Sequence, residues 1–315
     1  MRLLPLAIGL AILPHLSHSE NLKSHQQDEA PDSPAADNHE WVAWDPPKDD
    51  FRPNPIDLRS LNEKFAGEKG RIVARDGRFV HSSTGHPVRF WAVNGIGTKE
   101  TSEFAESARM LAKYGVNLVR EHHSVFDEKT GALDSDGVGK RGQLIAALKA
   151  EGIYTLLSIY FPLWMTPEAG SGWREGYNGQ KHPFALLYFE PDFQKLYRDW
   201  WKEILTAPTA SGTRLLDEPA LMGIELVNED SFFFWTFNYD NVPDPQMRKL
   251  EKHFGDWATA KYGSLNAALK AWNSTHKRDD PASGRLGFRE LYEMVTHKTK
   301  RDQDTAAFGC MTAEL

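Results

Sequence analysis

The stretch of this 315-residue chain best suited to chemistry is LMGIELVNED, residues 221–230, an apolar run that closes in acids. It follows the turn-like Asp217-Glu218-Pro219 and reads as a strand buried in a parallel sheet. A carboxylate at the end of such a strand has two readings: it marks where the strand meets water, or Glu229 is a catalytic acid at the mouth of a barrel, with Asn228 beside it to hold a sugar hydroxyl. Side chains alternate along a strand, so Glu225, Val227 and Glu229 should share one direction, and Leu118, Arg120 and His122 another. If both sets face inward, Arg120, His122 and Glu229 converge. Arg120 then pairs with Glu225, touches substrate, or does both. His122 and His123 suggest a metal pair, but neighbours on a strand point apart and no further ligand is evident. No metal site is expected, and a polar rim to a sugar cleft is the better reading. Trp91, Tyr160, Trp164 and Trp235 fall near proposed strand ends, where aromatic faces suit the C–H face of a pyranose ring. Each could equally be packing. Trp164 and Trp235, farthest into loops, are the stronger candidates for sugar contact.

These residues need elements to hold them. Residues 71–75, Asp76-Gly77 and residues 78–80 read as a β-hairpin, because Asp-Gly supplies the positive φ of a type I′ turn. Residues 87–94 should form the first buried strand. A helix follows, capped by Thr101 or Ser102, with Phe104, Ala108, Leu111 and Ala112 on one face and Gly115 as its stop before the strand at 116–120. The pattern returns with Leu144, Ile145 and Leu148, then Gly152 and a strand at 153–160. A third helix carries Phe193, Leu196, Tyr197, Trp200, Trp201, Ile204 and Leu205 at spacings of three and four, and leads to the strand at 221. Helix, turn and apolar strand in alternation predict βα units and a parallel sheet of four strands. Past Asp230 the strands stop. Residues 232–235 read as an aromatic loop, 247–262, 265–272 and 289–297 as helices, and 306–315 without periodicity.

Composition narrows the function classes. A formal net charge of -7, a pI near 6.0 and no Lys/Arg-dense block argue against a nucleic-acid partner. Cys310 is the only cysteine, which excludes an internal disulfide framework and a cysteine-based metal site. Residues 1–19 resemble a secretory signal: Met1-Arg2, an apolar run to Leu13, then small residues around Ser17. That run is shorter than the about 20 residues a membrane-spanning helix requires. A secreted or periplasmic protein with no membrane attachment after signal removal is expected. Residues 20–50 are polar and proline-bearing and read as a disordered linker. Residues 51–315 are then the catalytic-size domain.

Three runs in order, RFWAVNG at 89–95, GVNLVREHH at 115–123 and GIELVNED at 223–230, resemble the first half of a clan A glycoside hydrolase, most similar to the cellulase-like family 5 enzymes. The likeness extends from about Arg71 to Trp272. It implies a TIM (β/α)8 barrel type of fold, here shortened to about four βα units behind an N-terminal hairpin. It also implies that Glu229 is the acid/base, that Asn228 binds the sugar 2-hydroxyl, that Arg120 supports the nucleophile and that His122 and His123 contact substrate. No cofactor is implied. The family's nucleophile is a glutamate on strand seven, which this sequence lacks. Glu225 lies four residues from Glu229, ~13 Å along a strand and outside the ~5–5.5 Å of a retaining pair. The expectation is a secreted retaining glycosidase acting on β-linked oligosaccharide or polysaccharide with its nucleophile-bearing half missing. A non-catalytic sugar-binding pseudoenzyme is the alternative.

Overall fold

The computed structural model describes residues 48–209, 211–296 and 298–314. The expected signal segment and all but the end of the expected linker, with Trp41 and Trp44, lie outside the described residues. The chain divides after Asp50, and the elements below belong to the unit that starts at Phe51.

An antiparallel pair, β1 (Ile72–Arg75) and β2 (Arg78–His81), turns at Asp76 and Gly77, both at positive φ. Four further strands, β3 (Ala92–Asn94), β4 (Leu118–His123), β5 (Tyr154–Ile159) and β6 (Leu221–Glu225), form one parallel sheet in the order β3-β4-β5-β6. Between them run α1 (Phe104–Lys113), α2 (Ser135–Ala150) and α3 (Pro191–Thr206). Asp134 caps α2 by accepting from the Asp136 N–H, and Gly115 and Gly152 end the first two helices at positive φ.

Sheet periodicity splits the residues between two faces. On the helix face Val119 packs with Phe104, Ala108 and Leu148, while Leu157, Ile159 and Leu221 join the large core of α2 and α3. On the other face Leu118, Tyr154, Leu156 and Met222 meet Ile72, Val88 and Phe90 from the hairpin region. The hairpin thus covers the lower part of the face whose upper part carries the polar residues of interest.

One irregularity decides which way the fourth parallel strand points its acid. Thr155 pairs with Leu221 but Leu156 pairs with Gly223, so Met222 is an extra residue, a β-bulge. Unbroken alternation would put Glu225 on the side of Leu221, toward the helices. The bulge reverses the parity and delivers Glu225, opposite Ser158, to the face of Arg120.

Three expectations are corrected. β3 is only three residues long and exposed rather than buried, being bonded to a neighbour on one edge alone. Thr101 and Ser102 do not cap α1; they lie in a 3-10 turn, Thr101–Glu103, ahead of it. Beyond α4 (Asp244–Tyr262), α5 (Leu265–Trp272) and α6 (Leu291–Thr296), the residues without apparent periodicity form α7 (Lys300–Glu314). Phe254, Trp272, Phe288 and Phe308 close this helical end with ring centroids 5.5–5.9 Å apart. Arg301, fully buried, is paired with Asp279 at 2.5 Å and lies over the Trp272 ring. Among the described residues no helix is long and apolar enough to cross a membrane.

Candidate active site

β4 places its side chains as a strand must. Arg120 and His122 face away from the helices, Glu121 and His123 toward them. Arg120 reaches over β5: Nε and a terminal nitrogen donate to one oxygen of Glu225 at 2.8 and 2.5 Å, and the same terminal nitrogen donates to Asn228 Oδ1 at 2.7 Å. The other terminal nitrogen lies 3.4 Å from Asn94 Oδ1. The ion-pair reading of Arg120 is therefore realised, and the pair also carries Asn228.

His122 stands one step higher, its Nδ1 2.9 Å from Ser158 Oγ and its ring 5.0 Å from Tyr160. Burial first, and the Arg120 charge second, push its pKa down to about 4, so the ring is neutral at pH 7. Trp164 completes an aromatic wall, 5.1 Å from Tyr160, 6.5 Å from His122 and 6.3 Å from His123, and is 41% exposed. Trp164 is thus an exposed indole set edge-on to a buried phenol.

His123 belongs to a different environment. Its Nδ1–H donates to Glu121 at 2.8 Å, and Glu121 is held from the other side by Arg141 Nε at 3.1 Å, both acid and guanidinium being buried. Burial pushes the Glu121 carboxyl up, but its bonds to His123 and Arg141 prevail and hold it below the ordinary glutamate value. His123 and Trp164 line a cleft of about 840 Å³ on the helix side of β4, together with Thr98, Lys99, Asp127 and Lys140. Among the described residues no group of three or more His, Cys, Asp or Glu is placed to hold a metal.

Glu229 is not where strand alternation would put it. β6 ends at Glu225, and residues 226–230 leave the sheet as a turn in which Glu229 has φ 49. Its side chain is exposed and, among the described residues, has no hydrogen-bond partner. Its negative field nevertheless reaches Tyr160, whose phenol is pushed up by burial first and by Glu229 and Asp230 next. Glu229 thus lies on the same end of the sheet as Tyr160. The buried carboxyl of this stretch is its neighbour, Asp230, pushed up to about 7 by burial.

The site residues read from sequence are brought together in part. Arg120 and Asn228 are bonded, and His122, His123 and Trp164 share one aromatic edge. Trp235 is 60% exposed and, among the described residues, meets only the Phe234 ring at 5.9 Å. Trp91 lies at the opposite end of the sheet, ahead of β3, its backbone N–H donating to Asn117 Oδ1. Three participants were missed: Asn94, Ser158 and the buried Asp230. Asn94 and Ser158 could have been found by extending the alternation used for Arg120 to β3 and β5. Asp230 carried no such signal.

No family model matches the chain, and no curated protein matches it. It matches solved structures at low identity and with TM-scores below 0.5. An endo-1,4-β-mannanase from Rhizomucor miehei has 13% identity over 69% of this chain and 67% of that one, with a TM-score of 0.40. An endogalactoceramidase has 18% identity over 64% of this chain and 51% of that one, with a TM-score of 0.35. An exo-β-1,4-mannosidase from Opitutaceae bacterium strain TAV5 has 18% identity over 63% and 32%, with a TM-score of 0.36. The chain spans 51% of the second and 32% of the third.

Proposed function

We propose that this face of the sheet carries the acid/base half of a retaining β-glycosidase site for β-linked oligosaccharide or polysaccharide, in a protein that is secreted or periplasmic. The observation that carries the reading is the orientation of Asn228. A guanidinium has only donors, so Asn228 must turn Oδ1 to Arg120. Its amide nitrogen, which among the described residues has no protein partner, is then presented outward as a donor to a ligand oxygen. One residue on, Glu229 offers a carboxyl group open to a substrate. Trp164, with Tyr160 and His122 behind it, supplies the sugar platform.

In this reading the Glu229 carboxyl gives its proton to the glycosidic oxygen as the bond to the anomeric carbon breaks and a second carboxylate attacks that carbon. Glu229, now ionised, takes a proton from the water that releases the glycosyl group. Neither Glu225, bound by Arg120, nor Glu121, on the helix face and bound by Arg141, is placed to be the second carboxylate, so the nucleophile comes from outside these four strands. Release of reducing ends from β-mannan and β-glucan tests the proposal. Activity that Glu229→Gln leaves intact would remove Glu229 from it.

The exposure of Glu229 and the engagement of the neighbouring acids favour a second reading, a non-catalytic sugar-binding protein. Oligosaccharide binding that depends on Trp164 and proceeds without turnover would select it.

A further inference from the structure

Directly after Glu229 the chain buries a carboxyl group that the sugar chemistry does not use. Asp230 is 5% exposed. Its Oδ1 accepts the backbone N–H of Ala185 at 2.7 Å, and its own carbonyl oxygen accepts the Tyr188 hydroxyl at 2.6 Å. Its Oδ2 is buried without a partner. Both ends of this connection are conformationally unusual: Ala185 has φ 59 and Glu229 has φ 49, in the left-handed region that residues bearing a Cβ rarely occupy. Such conformations persist only where surrounding contacts over-determine them. Here two of them are tied together by one side chain.

We propose that Asp230 is a positioning residue: its buried carboxyl clamps the turn carrying Asn228 and Glu229 to the 184–190 loop that leads into α3, and so sets the direction in which Glu229 projects. The clamp itself stands on the geometry above; its consequence for catalysis rests on the reading of Glu229 as the acid.

The groups around it fit a neutral clamp. Tyr177 and Tyr188 on the loop before α3, Tyr197 on α3 and Tyr160 after β5 are pushed up first by burial and, once Asp230 ionises, further by its charge, so each lies near it. Among the described residues no cation is paired with it, and burial outweighs the Ala185 hydrogen bond to raise its pKa to about 7. In an unfolded chain the group ionises near its ordinary value of about 3.9. The folded protein therefore holds an extra proton between these values. The stabilisation is complete below pH 4, diminishes as pH rises and is gone above about 7.

The test uses the full chain labelled with [15N]alanine and followed from pH 4 to 9, alongside Asp230→Asn, which keeps an acceptor for Ala185 but cannot ionise. The expected result is an Ala185 amide resonance that titrates with a midpoint near 7 in the unaltered protein and stays fixed in the variant. On a hydrolysed substrate, Asp230→Ala is expected to lower kcat at least tenfold with KM changed less than threefold, while Asp230→Asn retains most of kcat. If Asp230→Ala does not fold, Tyr188→Phe, which removes only the hydroxyl on the Asp230 carbonyl, replaces it, with a smaller loss in kcat expected. A protein without glycosidase activity whose Ala185 amide still follows the titration would overturn the catalytic reading and leave the clamp standing. Glu229-dependent activity, with an Ala185 amide that does not move between pH 5 and 9, would overturn the clamp.

Discussion

Arg120 on β4 and Glu225 on β6 are joined across the strand between them, two guanidinium nitrogens converging on a single carboxylate oxygen at 2.5 and 2.8 Å. The pair exists because the bulge at Met222 turns Glu225 away from the helices, and it leaves Arg120 free to hold Asn228. Glu225→Ala should therefore do two things: cost about 1–3 kcal/mol, as expected when a part-buried charged hydrogen bond loses one partner, and loosen Asn228. Urea denaturation reads the first, and weakened oligosaccharide binding reads the second.

Asn228→Asp separates structure from recognition. An aspartate still accepts from Arg120, so melting should change little. It cannot donate to a sugar hydroxyl, and binding or turnover should fall by about ten- to a hundredfold, or about 1.4–2.7 kcal/mol. Equal losses in melting and binding would show that Asn228 is only part of the scaffold.

Glu121 and Arg141 form the buried pair beneath His123, with side chains 4% and 2% exposed. Arg141→Ala strands a buried carboxylate and should cost about 3–5 kcal/mol. The Glu121 carboxyl is held below its ordinary value, so the pair's contribution is fully present above that ordinary value and is lost as the solution is acidified below it, toward the lower value of the folded state. Melts between pH 3 and 7 should show a shallower acid loss for Glu121→Gln than for the unaltered protein.

His122 and Asp230 should impose opposite slopes on stability. The histidine is pushed down to about 4, so an unfolded chain binds its proton first, and stability rises with pH between about 4 and 6.5. Asp230 makes stability fall over much of the same range, because its folded pKa is raised to about 7. Melting curves across this window should tilt upward with pH in Asp230→Asn and downward in His122→Gln. Identical tilts would contradict the assignment.

Trp164→Ala should weaken oligosaccharide binding by about tenfold, or about 1.4 kcal/mol, because its exposed ring sits within the Tyr160 and His122 wall. Trp235→Ala, remote from that wall, should have less effect. Isothermal titration with manno- and gluco-oligosaccharides compares the two.

The regular part of the fold was legible wherever apolar residues mark the buried face. The stripe Phe193, Tyr197, Trp200, Trp201 and Ile204 is buried along α3, and Tyr154–Ile159 is a strand at nearly the predicted limits, whereas Leu118–His123 starts two residues later and ends three residues later than the predicted 116–120. α7 was missed because its buried stripe is polar: Arg301, Asp304, Thr305 and Phe308 recur at helical spacing, but the charges are paired with Asp279 and Lys261 rather than excluded from the interior. The bulge at Met222 was illegible because alternation alone cannot reveal an inserted residue. Glu229 was assigned a strand direction it does not have because the strand ends at Glu225 and the chain leaves the sheet before reaching it. Asn228 with Arg120 was within reach of sequence reasoning, since both follow apolar runs that end on the same edge of a parallel sheet. The burial of Asp230 was not, because it depends on a loop 45 residues away.

The most direct test of the central claim is the rate of reducing-end release from β-mannan and β-glucan by Glu229→Gln against the unaltered protein, with oligosaccharide affinity measured on the same samples. Loss of general acid catalysis predicts a kcat lower by about 10²–10⁴-fold, with affinity and melting temperature little changed. Hydrolysis at an unchanged rate in the variant would contradict it.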